Sequence, residues 1–245
     1  MKGKTHVAVG ILSCIQASII TNKPLSPLEF IFVCICSVLP DIDEPNSTLS
    51  NLVLKPSVSK ALYRYLIYLI NMLVLSILTY INKNLLFNLI ISFFIIILVE
   101  TKLNHSFLRK SLLTFLFVVL CFSLYYVKAP NSFIIICMFI GIAPWLKHRG
   151  FTHSILGIAF IYYVLYEVQK ILNSDNLAFY GTLSYASHLL LGDIFTKMGI
   201  PIFYPISNKK ISLGFIKVGS AIGNFFEILY VLIFVGIVFY SLKLF

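Results

Sequence analysis

Two of the five histidines in this 245-residue chain lie within six residues of each other, in His148-Arg149-Gly150-Phe151-Thr152-His153, between two long apolar runs. Imidazole is the side chain most readily used near neutral pH as a metal ligand or proton carrier. The intervening Gly150 lets the backbone turn, so both rings could converge on one ion. Asp41 and Asp43 follow Pro40 at the end of an apolar run, and His188 and Asp193 lie near the end of another. His6 and Glu227 sit near the start of the first and last runs. Two carboxylates as close as Asp41 and Asp43 repel in the open, and a shared cation relieves that repulsion. A mixed set of imidazoles and carboxylates suits Zn, with Mn or Fe as alternatives, with open coordination positions or as two ions bridged by a carboxylate. Such a centre lowers the pKa of bound water towards ~7 and neutralises charge building on a phosphoryl or carbonyl oxygen. Purely structural zinc sites are closed and usually cysteine-rich, unlike this set.

The spacing imposes a condition. His148/His153 and His188/Asp193 are each separated by five residues, which places them about 140° apart on a regular α-helix. They share a face only if the helix begins or breaks between them, near Gly150 for the first pair and Gly192 for the second. Otherwise one member of each pair orients a ligand without binding the ion. Arg149 is a candidate clamp for an anionic substrate group. Glu227 could instead pair with Lys217 or Arg149. His105, with no acidic neighbour beyond Glu100, reads as a loop residue.

The elements that must position these groups are membrane spans. The chain is 59% hydrophobic and 11% charged, with a mean hydropathy of +0.95, whereas soluble domains are nearer a quarter charged. Nine apolar runs are expected, at about residues 7–21, 28–39, 65–81, 85–100, 111–127, 132–146, 154–172, 179–196 and 223–243. Several fall short of the ~20 residues that cross a bilayer comfortably, so runs one, two and six are expected to tilt or pack inside the bundle. The fold class is therefore all-α, a polytopic helical membrane protein forming one integral-membrane domain over 1–245. No cleavable signal peptide is expected, because the first run carries a His and lacks a small-x-small cleavage site. With alternating crossings, Lys and Arg number 14 on the side of the N-terminus and 5 on the other. Cytoplasmic loops are enriched in these residues, so the N-terminus and the candidate ligands are expected on the cytoplasmic side. The net charge of +10 comes from cations scattered singly through loops, three Arg against sixteen Lys, so no direct nucleic-acid binding is expected. The five cysteines all lie in apolar runs and read as packing residues.

The motifs Leu39-Pro40-Asp41-Ile42-Asp43-x-Pro45-x-Ser47, His148-Arg149-Gly150-Phe151-Thr152-His153-Ser154 and Tyr185-Ala186-Ser187-His188-x4-Asp193 occur in this order. Gly199-Ile200-Pro201, Tyr204-Pro205 and Gly223-Asn224-x2-Glu227 follow them. Together they resemble the YdjM-like family of bacterial inner-membrane proteins, described as metal-dependent hydrolases and in one case as LexA-binding. The resemblance covers most of the chain; 62–146 carries little of it. It implies that His6, Asp41, Asp43, His148, His153, His188 and Asp193 are metal and catalytic positions, with Glu227 as a further one. Lys147 stands where a Gly often precedes the first His, and Glu44 where a His can stand in relatives.

The resulting expectation is a membrane metal-dependent hydrolase, of phosphoesterase type, acting on a lipid-like or phosphorylated small substrate at the inner-membrane surface. One or two divalent ions would be bound by the residues above, with Arg149, Asp43 and His153 serving the reaction. The rival is a non-enzymatic membrane regulator with a structural metal and a protein partner. A transporter is disfavoured, since the polar residues gather at one membrane level and no inverted repeat is visible.

Overall fold

The computed structural model describes residues 1–44, 47–214 and 217–243; Pro45 of the first motif lies outside them. Among these residues the chain is helical with no strand, apart from one antiparallel bridge between Ile200 and Ile211. The helices are α1 (Gly3–Thr21), α2 (Pro27–Cys36), α3 (Thr48–Val53), α4 (Pro56–Ile81), α5 (Leu85–Lys102), α6 (His105–Tyr126), α7 (Asn131–Ile142), α8 (Ile155–Leu172), α9 (Leu177–Ser187) and α10 (Ala221–Leu242).

Six of them, α1, α4, α5, α6, α8 and α10, are long and apolar enough to cross a membrane. Each of the nine apolar runs contains one helix, but three helices are shorter than their runs suggest. Helix α2 has 10 residues, α7 has 12 and α9 has 11. Run one, expected to be short, forms a 19-residue span, because Gly3 to His6 already belong to the helix. The ends of α2 and α9 run into the 3₁₀ turn Leu39–Asp43 and the π turn His188–Gly192, which carry polar motifs, and α7 runs into the 3₁₀ turn Ala143–Trp145 just before the His148 motif.

Polarity is distributed as a bilayer requires. Tyr65, Met72 and Tyr80 on α4 and Phe93 and Phe94 on α5 face outward. Polar side chains such as Asn88, Ser92 and Arg109 are buried. In hydrocarbon every polar group must find a partner inside the protein. Asn88 accordingly donates to the Asn82 carbonyl at 2.6 Å, and Ser92 reaches Asn71 at 3.3 Å, tying α5 to α4.

Helix α9 is the central strut, packed against α1, α2 and α8. Its buried face includes Tyr180, Gly181, Ser184 and Tyr185. Small residues set the approach: a Cβ on Gly10 of α1 would lie 2.7 Å from Ser184 Oγ and 2.8 Å from Ser37 Cβ. Close contact through Gly and Ser is how helices associate where no hydrophobic effect drives them together. Gly10→Val should therefore lower stability by about 1–3 kcal/mol through overpacking. Thermal unfolding in detergent checks this; an unshifted midpoint would mean α1 and α9 are not locked through this contact.

The alternation of the nine apolar helices survives their unequal lengths. The N-terminus of α1 meets α10 through Thr5 and Glu227 (2.7 Å), and α6 meets the loop after α3 through Arg109 and the Leu54 carbonyl (2.7 Å). The 148–153 loop meets Asp43 and Thr196. The five segments expected on one side of the membrane are thus gathered at one end of the bundle.

Candidate metal centre

Three short irregular turns at that end carry the site. Pro40 opens the 3₁₀ turn Leu39–Asp43, which presents Asp41 and Asp43. The loop before α8 closes with the 3₁₀ turn Phe151–His153, capped by Ser154, whose Oγ accepts from Gly157 N. Helix α9 ends in the π turn His188–Gly192, where the amide of Asp193 donates to the carbonyl of His188. That five-residue hydrogen bond answers the spacing problem: a π turn brings residues i and i+5 to one side, which a regular helix does not. Gly192 leaves room for His6, whose Cε1 would lie 2.5 Å from a Cβ there. In the other pair the backbone reversal falls on Arg149, at φ +57°, one residue before the glycine expected to supply it.

Four donor atoms converge, one each from Asp41, His153, His188 and Asp193, all within 4.8 Å of one another. Nε2 of His153 lies 3.2 Å from Asp193 Oδ2 and 3.6 Å from Asp41 Oδ1. Nε2 of His188 lies 3.7 Å and 3.5 Å from the same two oxygens. Donors placed about 2.1 Å from a common ion at the corners of a tetrahedron stand about 3.4 Å apart, so these separations fit one four-coordinate divalent ion. His153 Nε2, His188 Nε2 and Asp193 Oδ2 are buried and make no hydrogen bond. Buried polar atoms are nearly always satisfied, and an ion satisfies all three at once.

The far sides of both rings are fixed. His188 Nδ1 donates to the Ser37 carbonyl at 2.7 Å, leaving the Nε2 lone pair facing the cluster. For His153 the ordering runs through Thr152. The Thr152 hydroxyl donates to Asp43 Oδ2 at 2.6 Å, so its oxygen accepts from His153 Nδ1 at 2.9 Å. Each ring is thereby held in the tautomer a metal ligand needs, by the kind of outer contact that fixes ligating histidines. The Tyr185 hydroxyl donates to the Thr152 carbonyl and anchors this turn to α9.

The remaining expected ligands stand outside the four-atom set. Asp43 has both oxygens engaged: Oδ1 with His148 Nδ1 at 2.8 Å, Oδ2 with the Arg149 amide at 3.0 Å and with Thr152. His148 is partly exposed beside the cluster. His6 stacks on His188 with ring centroids 3.6 Å apart, and its Nε2 is 3.7 Å from Asp193 Oδ1. Glu227 Oε2 accepts from Lys2 N (3.2 Å) and Thr5 Oγ1 (2.7 Å), closing the start of α1. Arg149, read as a substrate clamp, is buried. Its guanidinium binds Asp193 Oδ1 at 3.2 Å and the Gly199 carbonyl at 2.8 Å, so it holds the Asp193 carboxylate in place. Thr152 and the Ser37 carbonyl are the functional groups that sequence reasoning missed. A threonine at this position reads as a helix cap or a substrate contact as readily as a group that orders an imidazole, and a backbone carbonyl leaves no mark in a sequence.

Charge within the turns follows from this geometry. Burial pushes the Asp43 carboxyl up, but His148, His153 and Thr152 outweigh it and hold it at about 2. Asp41 is likewise held well below the usual carboxylate range against burial, by His188 and His153. Burial lowers His153, yet the carboxylates of Asp193, Asp41 and Asp43 raise it to about 10. In the ion-free protein this imidazolium stabilises the fold fully below the ordinary value of 6.5, and that stability is lost as pH rises towards 10. A bound cation replaces the proton, so ion and proton compete.

The chain matches the model of the YdjM inner membrane protein family over residues 1–244. It belongs to that family. Neither the curated proteins nor the solved structures gave a similar protein.

Two outcomes are expected. With a chelator present, the thermal midpoint falls as pH is raised from 6.5 towards 10; with saturating Zn it does not fall over that window. A chelated protein with a flat profile would contradict the charged ring placed between the carboxylates. Separately, Thr152→Val should weaken ion affinity about 10- to 100-fold, as loss of an outer-shell partner does, measured by competition with a chromophoric chelator.

Proposed function

We propose that this chain is a metal-dependent hydrolase that cleaves a phosphoester or related bond in a lipid-like substrate at the membrane boundary. One observation carries the reading: three residues of the four-donor cluster are buried, while the fourth, Asp41, and the adjacent His148 reach solvent. His153, His188 and Asp193 are at most 1% exposed, whereas the Asp41 side chain is 26% and the adjacent His148 side chain 38% exposed. A structural metal needs no such opening; catalytic sites keep one.

Asp41, His153, His188 and Asp193 would hold the ion, which supplies Lewis acidity towards a phosphoryl or carbonyl oxygen and acidifies bound water. Two imidazoles and two carboxylates accept Zn, Mn or Fe. His148 stands at the open edge with Nδ1 on Asp43 Oδ1, so Nε2 is available to take or return a proton. Asp43 orients both this ring and, through Thr152, His153. Arg149 positions Asp193 and does not contact the substrate in this scheme. The location among spans supports an amphiphilic substrate, reaching the open edge from the bilayer surface.

The burial of three donors supports the second reading, a regulator whose ion only holds the turns together. One experiment separates the two. His148→Ala in purified protein should retain stoichiometric ion while losing about 10²- to 10⁴-fold in turnover of a phospholipid or phosphoester panel, the usual contribution of a general acid–base group. His188→Ala should lose both ion and turnover. Wild-type protein that is fully loaded with Zn or Mn yet inert across the panel would favour the structural reading.

A further inference from the structure

A cavity lined by charged and aromatic side chains lies at the same end of the bundle, away from the four-donor cluster. It measures about 440 Å³ and is framed by Lys60, Tyr63, Arg64 and Tyr68 of α4, Glu100 of α5 and His105 of α6. Lys60 and Arg64 are one turn apart and project from the same face of α4. Among the described residues, no hydrogen-bond or ion-pair partner is found for the side chains of Lys60, Arg64 or Glu100. Behind them the wall is joined by hydrogen bonds. Ser59 Oγ donates to the Pro56 carbonyl at 3.1 Å, and so accepts both Arg109 Nη1 and His105 Nε2 at 3.0 Å. Arg109 also donates to the Leu54 carbonyl and to Asn51, which fastens α6 to α3 and the residue that follows it.

We propose that this cavity is a binding site for an aminophospholipid headgroup, with the phosphate on Lys60 and Arg64 and the ammonium on Glu100. Basic pockets between membrane helices are recognised headgroup sites, and a guanidinium fork matches phosphate oxygens. Two cations alone would suit any phosphate. The carboxylate in the same cavity opposes a purely anionic ligand and complements one that also carries an amine. The cavity wall runs roughly 12 Å along α4 from Lys60 to Tyr68, from the polar end of the span to lipid-facing side chains. Tyr68 is exposed on that surface and offers an apolar ring to lipid chains. A diacyl lipid can therefore place its headgroup in the cavity and its chains along α4, which a soluble phosphate cannot.

The test uses full-length protein in mild detergent, offered phosphatidylethanolamine and phosphatidylglycerol of matched chains, with bound lipid counted by native mass spectrometry. Inorganic phosphate and glycerophosphoethanolamine are run as chain-free competitors. Phosphatidylethanolamine should be retained preferentially. Lys60→Ala/Arg64→Ala should lower its retention about thirtyfold, the effect of two surface cations. Glu100→Gln should keep lipid binding but erase the preference for the amine. All three positions are exposed, and unchanged thermal midpoints establish that the variants fold. Undiminished retention in the double variant, preference for phosphatidylglycerol, or equal binding of the chain-free competitors would each overturn the assignment.

Discussion

Two buried imidazoles whose Nδ1 protons are already committed constrain everything around them. His188 gives its proton to the Ser37 carbonyl and His153 gives its proton to Thr152, so both Nε2 lone pairs must point into the cluster. A lone pair buried without a partner is costly. The protein tolerates two of them, beside two carboxylates, in a space sized for one cation. Remove the cation and the nearest alternative is the proton that the raised affinity of His153 describes. At neutral pH the centre is thus arranged to hold either an ion or, in its place, a proton.

The fold exists to hold those donors at one level. Each contributing segment is a helix end converted into a tighter or wider turn. Regular helices would have sent Asp193 away from His188; the π turn brings it back, and the bare Gly192 lets His6 stack against the same ring. Beneath the centre, α9 transmits position by close packing against Gly10 and by the Tyr185 hydroxyl on the Thr152 carbonyl. Outside the centre, α4, α5 and α10 present apolar side chains outward and contribute few buried residues. Their task is to meet the bilayer.

Much of this was legible in the residues. Apolar runs located nine helices, because hydropathy is a direct consequence of the solvent each segment meets. The meeting of Asp41, His153, His188 and Asp193 followed from alternation, which puts their three segments at one end. The i, i+5 spacing left two alternatives, a break in the helix near Gly192 or one of the pair standing off the ion, and the π turn is the first of them. Division of labour within the cluster was not legible. Asp43 and Asp41 differ by two positions in one turn, and only the direction each side chain takes decides that Asp41 faces the donors while Asp43 faces His148 and Thr152. Arg149 likewise carries the signature of a substrate clamp, yet the loop's left-handed turn buries it against Asp193. Helix lengths were overestimated where an apolar run continues through a 3₁₀ or π turn, since hydropathy does not sense hydrogen-bond register.

The account rests on one ion held by a defined donor set, and X-ray absorption spectroscopy of Zn-loaded protein tests it most directly. The predicted spectrum has first-shell nitrogen and oxygen at about 2.0–2.1 Å, with the outer-shell scattering of two imidazoles and no sulfur. A spectrum with a single imidazole or none, or with sulfur from any of the five cysteines, would contradict the arrangement of His153 and His188 around a shared cation.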